Sequence, residues 1–96
     1  MPMITAVLSF TATDEGGAAA AQFGIDTGGM DVLSTMWQRV QNLDTSWADD
    51  SSLTPLLKGG RSAMIGDTID IFWPSGVIQT FGIQPIGFRL IKERCS

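Results

Sequence analysis

The hydrophobic period of this chain shifts from two residues to three or four, then back to two. From Met3 to Phe10, MITAVLSF alternates apolar with small polar residues, as a half-buried strand does. Further on, Met30, Leu33, Met36, Trp37, Val40 and Leu43 recur three and four apart. That stripe predicts an amphipathic helix, with Ser34, Gln38 and Gln41 on its polar side and Thr27 or Asp31 placed to cap its start. At Asp67 the period returns to two. DTIDIFW predicts a strand with Ile69, Ile71 and Trp73 on one face and Thr68, Asp70 and Phe72 on the other. WPSG then turns the chain, with Pro74 at the first central position and Gly76 supplying a positive φ. VIQTFGI predicts the antiparallel return strand. IGFRLIK, Ile86 to Lys92, predicts one more strand beyond the break at Pro85.

The segments between these elements are less periodic. TATDEGGAAAAQFGID is either a short helix, Glu15 to Phe23, capped by Asp14 and stopped at Gly24, or a loop with an alanine tract. DTSWADDSS, Asp44 to Ser52, is a polar loop with Trp47 at its centre. Trp47 either folds back onto the core or stands among Asp44, Asp49 and Asp50. In the second case those four residues form a candidate partner contact, because Trp is enriched in interface hot spots. LTPLLKGG predicts a helical turn with Thr54 as cap, Pro55 at the first position, Lys58 near the carbonyl end and Gly59 as the stop. The expected fold is one α+β domain over residues 1–96. It consists of a small antiparallel sheet of three to four strands, with the Met30–Leu43 helix packed on one face.

Composition narrows the function classes. At 96 residues the chain has room for one core. Its charged fraction of 17% is below the usual ~25%, so its surface is either covered in part by a partner or rich in Gly and Ala. Residues 1–50 carry seven acids and one base, a charge of −6. Residues 51–96 carry three acids and five bases, a charge of +2. An acidic half of this kind suits a basic surface on another protein. Only Arg89, Lys92 and Arg94 cluster, and a regular strand would put Arg89 and Lys92 on opposite faces, so direct nucleic-acid binding is disfavoured. The opening MPMITAVLSF has neither the basic region nor the cleavage site of a signal peptide, and no apolar run reaches membrane-spanning length. The expected location is the host cytoplasm.

Candidate chemistry is sparse. The chain has no histidine and no tyrosine, and Cys95 is its one thiol. These absences remove the common groups that titrate near neutrality, any Ser-His-Asp or Cys-His arrangement, and a structural zinc site. Asp67 and Asp70 point to opposite faces of a strand, and Asp49-Asp50 lacks EF-hand spacing. The chain is expected not to be an enzyme and to carry no cofactor or metal. GGRSAMIGD could suggest a phosphate loop, but it opens a strand and holds no lysine. Arg61, Ser62, Gly66 and Asp67 instead read as a fold-determining turn. Gly66 makes the bend, Asp67 binds nearby amides, and Arg61 pairs with Asp67 or Asp70.

RSAMIGDTIDIF followed by VIQTFGI resembles the YodL-like domain of mobile genetic elements over residues 30–83. Members of that family carry an Arg-Ser, a small-apolar pair, Gly-Asp and a β-run, then a second strand ending near Phe-Gly-Phe. Arg61, Ser62, Gly66, Asp67, Phe81 and Gly82 match, Ile83 stands where the last Phe would be, and MDVLSTMWQRV supplies an upstream helix. The resemblance implies an accessory module of plasmids, conjugative elements or phages, some associated with antirestriction, with no catalytic residues. The expected function is a phage or mobile-element protein that binds and inhibits a bacterial defence complex, of antirestriction or anti-CRISPR type. Its partner would be a protein or nucleoprotein complex, and the chain itself a monomer or homodimer. The alternative is a phage structural or assembly protein that self-associates.

Overall fold

The computed structural model describes residues 3–41, 46–49, 51–57 and 61–95. Strands β1 (Met3–Ser9), β2 (Gly17–Gly24), β3 (Thr54–Pro55), β4 (Thr68–Phe72), β5 (Val77–Ile83) and β6 (Phe88–Cys95) form one antiparallel sheet in the order β3-β2-β1-β4-β5-β6. The α-helix among the described residues, α1 (Gly29–Arg39), lies on one face of this sheet, against β1 and β4.

The sheet of three to four strands expected from the sequence is therefore corrected to six. The alanine tract is the largest source of the error. Alanine favours helix intrinsically, but here it builds β2, paired with β1 from Met3↔Gly24 to Ser9↔Gly17. Ala18, Ala19 and Ala21 are buried, so packing overrides propensity. The Asp14 expected to cap a helix instead closes a 3-10 turn in the left-handed conformation, at φ 57°. The turn expected at Thr54 and Pro55 is β3, pairing with Ala20 and Ala19. Lys58 and Gly59 lie outside the described residues.

The helix is shorter than its periodicity implies. Gly28 is its N-cap, with no side-chain cap, while Asp31 sits in the positive first turn. Val32, Leu33, Met36 and Val40 are buried. Met30, at the head of the expected stripe, is exposed, Trp37 is half-buried, and Leu43 lies outside the described residues. The core forms between α1 and one sheet face, where Ile4, Ala6, Leu8, Ile69 and Ile71 point inward. On the β2 side, Trp47 and Leu53 are buried, and the Leu56 N–H donates to the Ala18 carbonyl at 2.8 Å. The hairpin between β4 and β5 turns at Pro74–Gly76, with Gly76 at φ 96°.

Width decides what stays uncovered. Six strands at about 4.8 Å spacing span about 24 Å, whereas a helix with its side chains is about 10 Å across. One helix cannot roof this sheet, and α1 sits over its middle. The β5–β6 side extends beyond it, and residues 89–95 of β6 are exposed.

Candidate protein-docking surface

The fold-determining turn assembles around a buried carboxylate. Asp67 is fully buried, and Arg61 grips it with two hydrogen bonds, Nη1 to Oδ2 at 2.7 Å and Nη2 to Oδ1 at 2.8 Å. The same carboxylate accepts the Ala12 amide at 3.1 Å and the Met64 amide at 2.9 Å. Burial pushes the Asp67 pKa up, but the Arg61 hydrogen bonds and the two amides outweigh it, so the carboxyl is held below its ordinary value. The bond to Asp67 in turn raises Arg61, against a smaller opposing effect of burial. The Arg61 guanidinium lies 4.2 Å from the Phe10 ring centroid and also donates to the Ser62 carbonyl and the Thr13 hydroxyl. Gly66, at φ 96°, donates its N–H to the Ile83 carbonyl, and Ile83 donates back to the Asp67 carbonyl. Arg61, Ser62, Gly66 and Asp67 thus tie the 11–15 turn, the start of β4 and the end of β5 into one knot.

Of the two placements the sequence left open for Trp47, the structure has the one folded back onto the core, so Trp47 is not the exposed centre of a contact with Asp44, Asp49 and Asp50. Trp47 is 1% exposed, stands edge-on to Phe10 at 5.9 Å between centroids, and donates Nε1–H to the Arg61 carbonyl at 2.9 Å. An indole that is desolvated and hydrogen-bonded inside its own chain is a core residue and cannot anchor a partner. Asp49 is exposed. Asp44 and Asp50 lie outside the described residues.

A different surface comes together where the sheet outruns the helix. Phe81, Ile83, Phe88 and Leu90 share the helix-side face of β5 and β6, since Phe81 pairs with Leu90 and Ile83 with Phe88. Trp37 borders them from α1. Phe81, Phe88 and Trp37 are partly buried against the core, while Leu90 is 46% exposed and Ile86, on the connecting turn, is 94% exposed. A cleft of about 220 Å3 opens between Trp37, Gln38, Ile83, Pro85 and Phe88. That is smaller than the roughly 300–1,000 Å3 of ordinary ligand pockets, so it suits a single side chain from a partner better than a cofactor. Trp73 Nε1–H donates to Gln79, and Gln79 donates to Glu93, which fixes Glu93 on this same face.

The sequence carried one signal for this surface that strict alternation conceals. The Leu90-Ile91 doublet interrupts the period of β6, and there the pairing slips: Thr80 faces Lys92 while Phe81 faces Leu90. This is a β-bulge with Ile91 as the extra residue. It cancels the expectation that Arg89 and Lys92 lie on opposite faces. Arg89, Lys92 and Arg94 stand opposite Gly82, Thr80 and Ile78, which alternate along β5 and share its outer face.

Among the described residues no group of three or more His, Cys, Asp or Glu could hold a metal ion, and no helix is long and apolar enough to cross a membrane. No protein-family model matches this chain, and no curated protein or solved structure matches it either.

Proposed function

We propose that this chain is a non-catalytic binding module of a phage or mobile element that docks on a bacterial defence complex and inhibits it. The observation that carries the binding role is the apolar ledge of Phe81, Phe88, Leu90 and Ile86 beside the Trp37 cleft, left open because one helix cannot cover six strands. A partly buried aromatic floor with exposed aliphatic residues at its edge is the composition of an interface centre. The defence setting comes from the YodL-like resemblance, through Arg61, Ser62, Gly66 and Asp67. The absence of histidine and tyrosine favours binding over catalysis.

The test is a tagged pull-down from bacterial lysates with active restriction and CRISPR systems, read by mass spectrometry, using wild type and the double variant Ile86→Asp/Leu90→Asp. Both side chains are exposed, so the variant keeps the core. Stoichiometric recovery of a defence nuclease or surveillance complex by wild type, lost in the variant, supports the proposal. Recovery unaffected by the variant removes the ledge, and recovery of no defence component removes the inhibitor role. A second reading, a self-associating assembly protein, draws on the unpaired length of β6. A ring or polymer in sedimentation velocity would favour it over a monomer or dimer.

A further inference from the structure

β6 sorts its charges by face. The bulge puts Arg89, Lys92 and Arg94 on the outer face, opposite Gly82, Thr80 and Ile78. Those β5 positions alternate, so successive cations are about 6.8 Å apart along the strand direction. The Thr80 hydroxyl donates to Asp70 at 2.6 Å, which places this row on the face away from α1. Glu93, the one acid of β6, is held on the helix-side face by Gln79. Among the described residues no ion pair joins Arg89, Lys92 or Arg94 to a carboxylate. β6 is also the terminal strand of the sheet, and among the described residues it pairs only with β5 and no strand takes its other backbone edge over its eight residues.

We infer that β6 receives an extended acidic segment of a partner protein, added as a seventh antiparallel strand. The segment's backbone takes the open edge, which is the hydrogen-bonding contribution of strand addition. Its carboxylates, at alternate positions, meet Arg89, Lys92 and Arg94. Its intervening apolar side chains turn to the other face, beside Phe88 and Leu90. This deepens the proposed function, because it rests on the same end of the sheet and names the chemistry of the partner.

Two other occupants fit less well. A second copy of the chain, paired antiparallel so that faces match across the bulge, would set Arg89 of one copy opposite Arg94 of the other, and opposed like charges destabilise a sheet. A nucleic acid would meet three cations on a protein of net charge −4 and would leave the open backbone edge unused. The ordinary role of charge on an edge strand is to prevent aggregation. Lys92, the helix-side Glu93 and the bulge serve that role against like edges, and three cations gathered on one face leave an acidic strand as the complementary partner.

The test uses the full chain and a labelled, end-blocked octapeptide of alternating Glu and Val, read by fluorescence anisotropy. A control peptide has the same composition with its glutamates in one block. The expected result is saturable binding of the alternating peptide, at least fivefold tighter than the control. Arg89→Glu/Lys92→Glu/Arg94→Glu should weaken it at least tenfold, and bound peptide should slow hydrogen exchange at β6 amides. Equal binding of both peptides, no binding at millimolar concentration, or tighter binding of oligothymidylate each overturns the inference. If the peptide fails while a defence complex is still captured through Ile86 and Leu90, the acidic strand falls and the proposed function stands.

Discussion

Replacing Asp67 with asparagine should remove a large part of the stability of this fold. The side chain keeps its size, so the change is electrostatic and donor–acceptor in nature. Each carboxylate oxygen accepts two hydrogen bonds, Oδ1 from Ala12 and Arg61, Oδ2 from Met64 and Arg61. An amide offers one oxygen. Whichever way it turns, its NH2 faces two donors, and two accepted bonds are lost. Hydrogen bonds to a charged group contribute about 1.5–3 kcal/mol each. They are not additive here, because Arg61 keeps its bonds to Ser62 and Thr13 and has some access to solvent. Breaking a buried pair from one side costs about 3–5 kcal/mol, which is the expected loss. A 96-residue domain has a stability of about 5–14 kcal/mol. The substitution should therefore lower the melting temperature by roughly 12–40 °C, at about 4–8 °C per kcal/mol. Urea unfolding followed by tryptophan fluorescence gives the free energy, because Trp47 reports on this region through its bond to the Arg61 carbonyl. In a double-mutant cycle with Arg61→Met, the coupling should reach 0.5–3 kcal/mol in size, on the order seen for paired groups. A loss under about 1 kcal/mol, or additive single changes, would refute the view that Asp67 is the organising charge.

The same carboxylate predicts the acid limb of the stability curve. Its folded pKa is lowered, so its contribution is complete above the unfolded value of about 3.9 and is lost as pH falls through the lower folded value. Wild type should lose stability below about pH 4, and Asp67→Asn should show a shallower loss in urea melts over that range. Trp47→Ala should cost about 3–5 kcal/mol as a buried aromatic truncation, and a change within 1 kcal/mol would contradict its placement in the core. Gly66→Ala and Gly87→Ala separate backbone strain from crowding. Both positions have positive φ, but only at Gly66 would the new Cβ meet a neighbour, Ala12 Cβ at 3.2 Å. Gly87→Ala should cost about 1–2 kcal/mol and Gly66→Ala more, and the reverse order in thermal melts would refute this.

The β4–β5 hairpin was legible because its alternation, Pro74 and Gly76 point to the same structure. Ile69 and Ile71 are buried as their period requires. The alanine tract was not legible, because the cause of β2 is non-local: β1 pairs with it on one side and β3 on the other. Alanine carries too little side chain for its own pattern to overrule helix propensity. Trp47 illustrates a second limit. The sequence left both a core and an exposed placement open, and the neighbours that decide for the core, Phe10 and the Arg61 carbonyl, come from distant parts of the chain. The docking surface was hidden for a third reason. Its members come from α1, β5, the 84–87 turn and β6, and each reads in sequence as an ordinary apolar position.

The Arg61–Asp67 turn and the apolar ledge of β5 and β6 meet at Ile83. Asp67 and Gly66 hold the Ile83 backbone from one side, by hydrogen bonds of 2.9 and 3.0 Å. From the other side Ile83 lines the cleft with Trp37 and Phe88. Next to it, Gly82 leaves room for Ile91: a Cβ there would stand 2.9 Å from Ile91 Cδ1. Ile91 is the extra residue of the bulge, so the space over Gly82 accommodates the register slip that gathers Arg89, Lys92 and Arg94 on one face. On the proposed reading, the Arg61–Asp67 knot reaches the docking surface through the end of β5, whose position it fixes. Changes at Arg61 or Asp67 should lower stability and binding together. Changes at Ile86, Leu90, Lys92 or Arg94, all exposed, can alter the choice of partner while the fold stays intact. Asp67, the charge that organises the turn, is fully buried, whereas Ile86, Leu90, Lys92 and Arg94 are exposed, so on the proposed reading stability falls with the first kind of change and holds with the second.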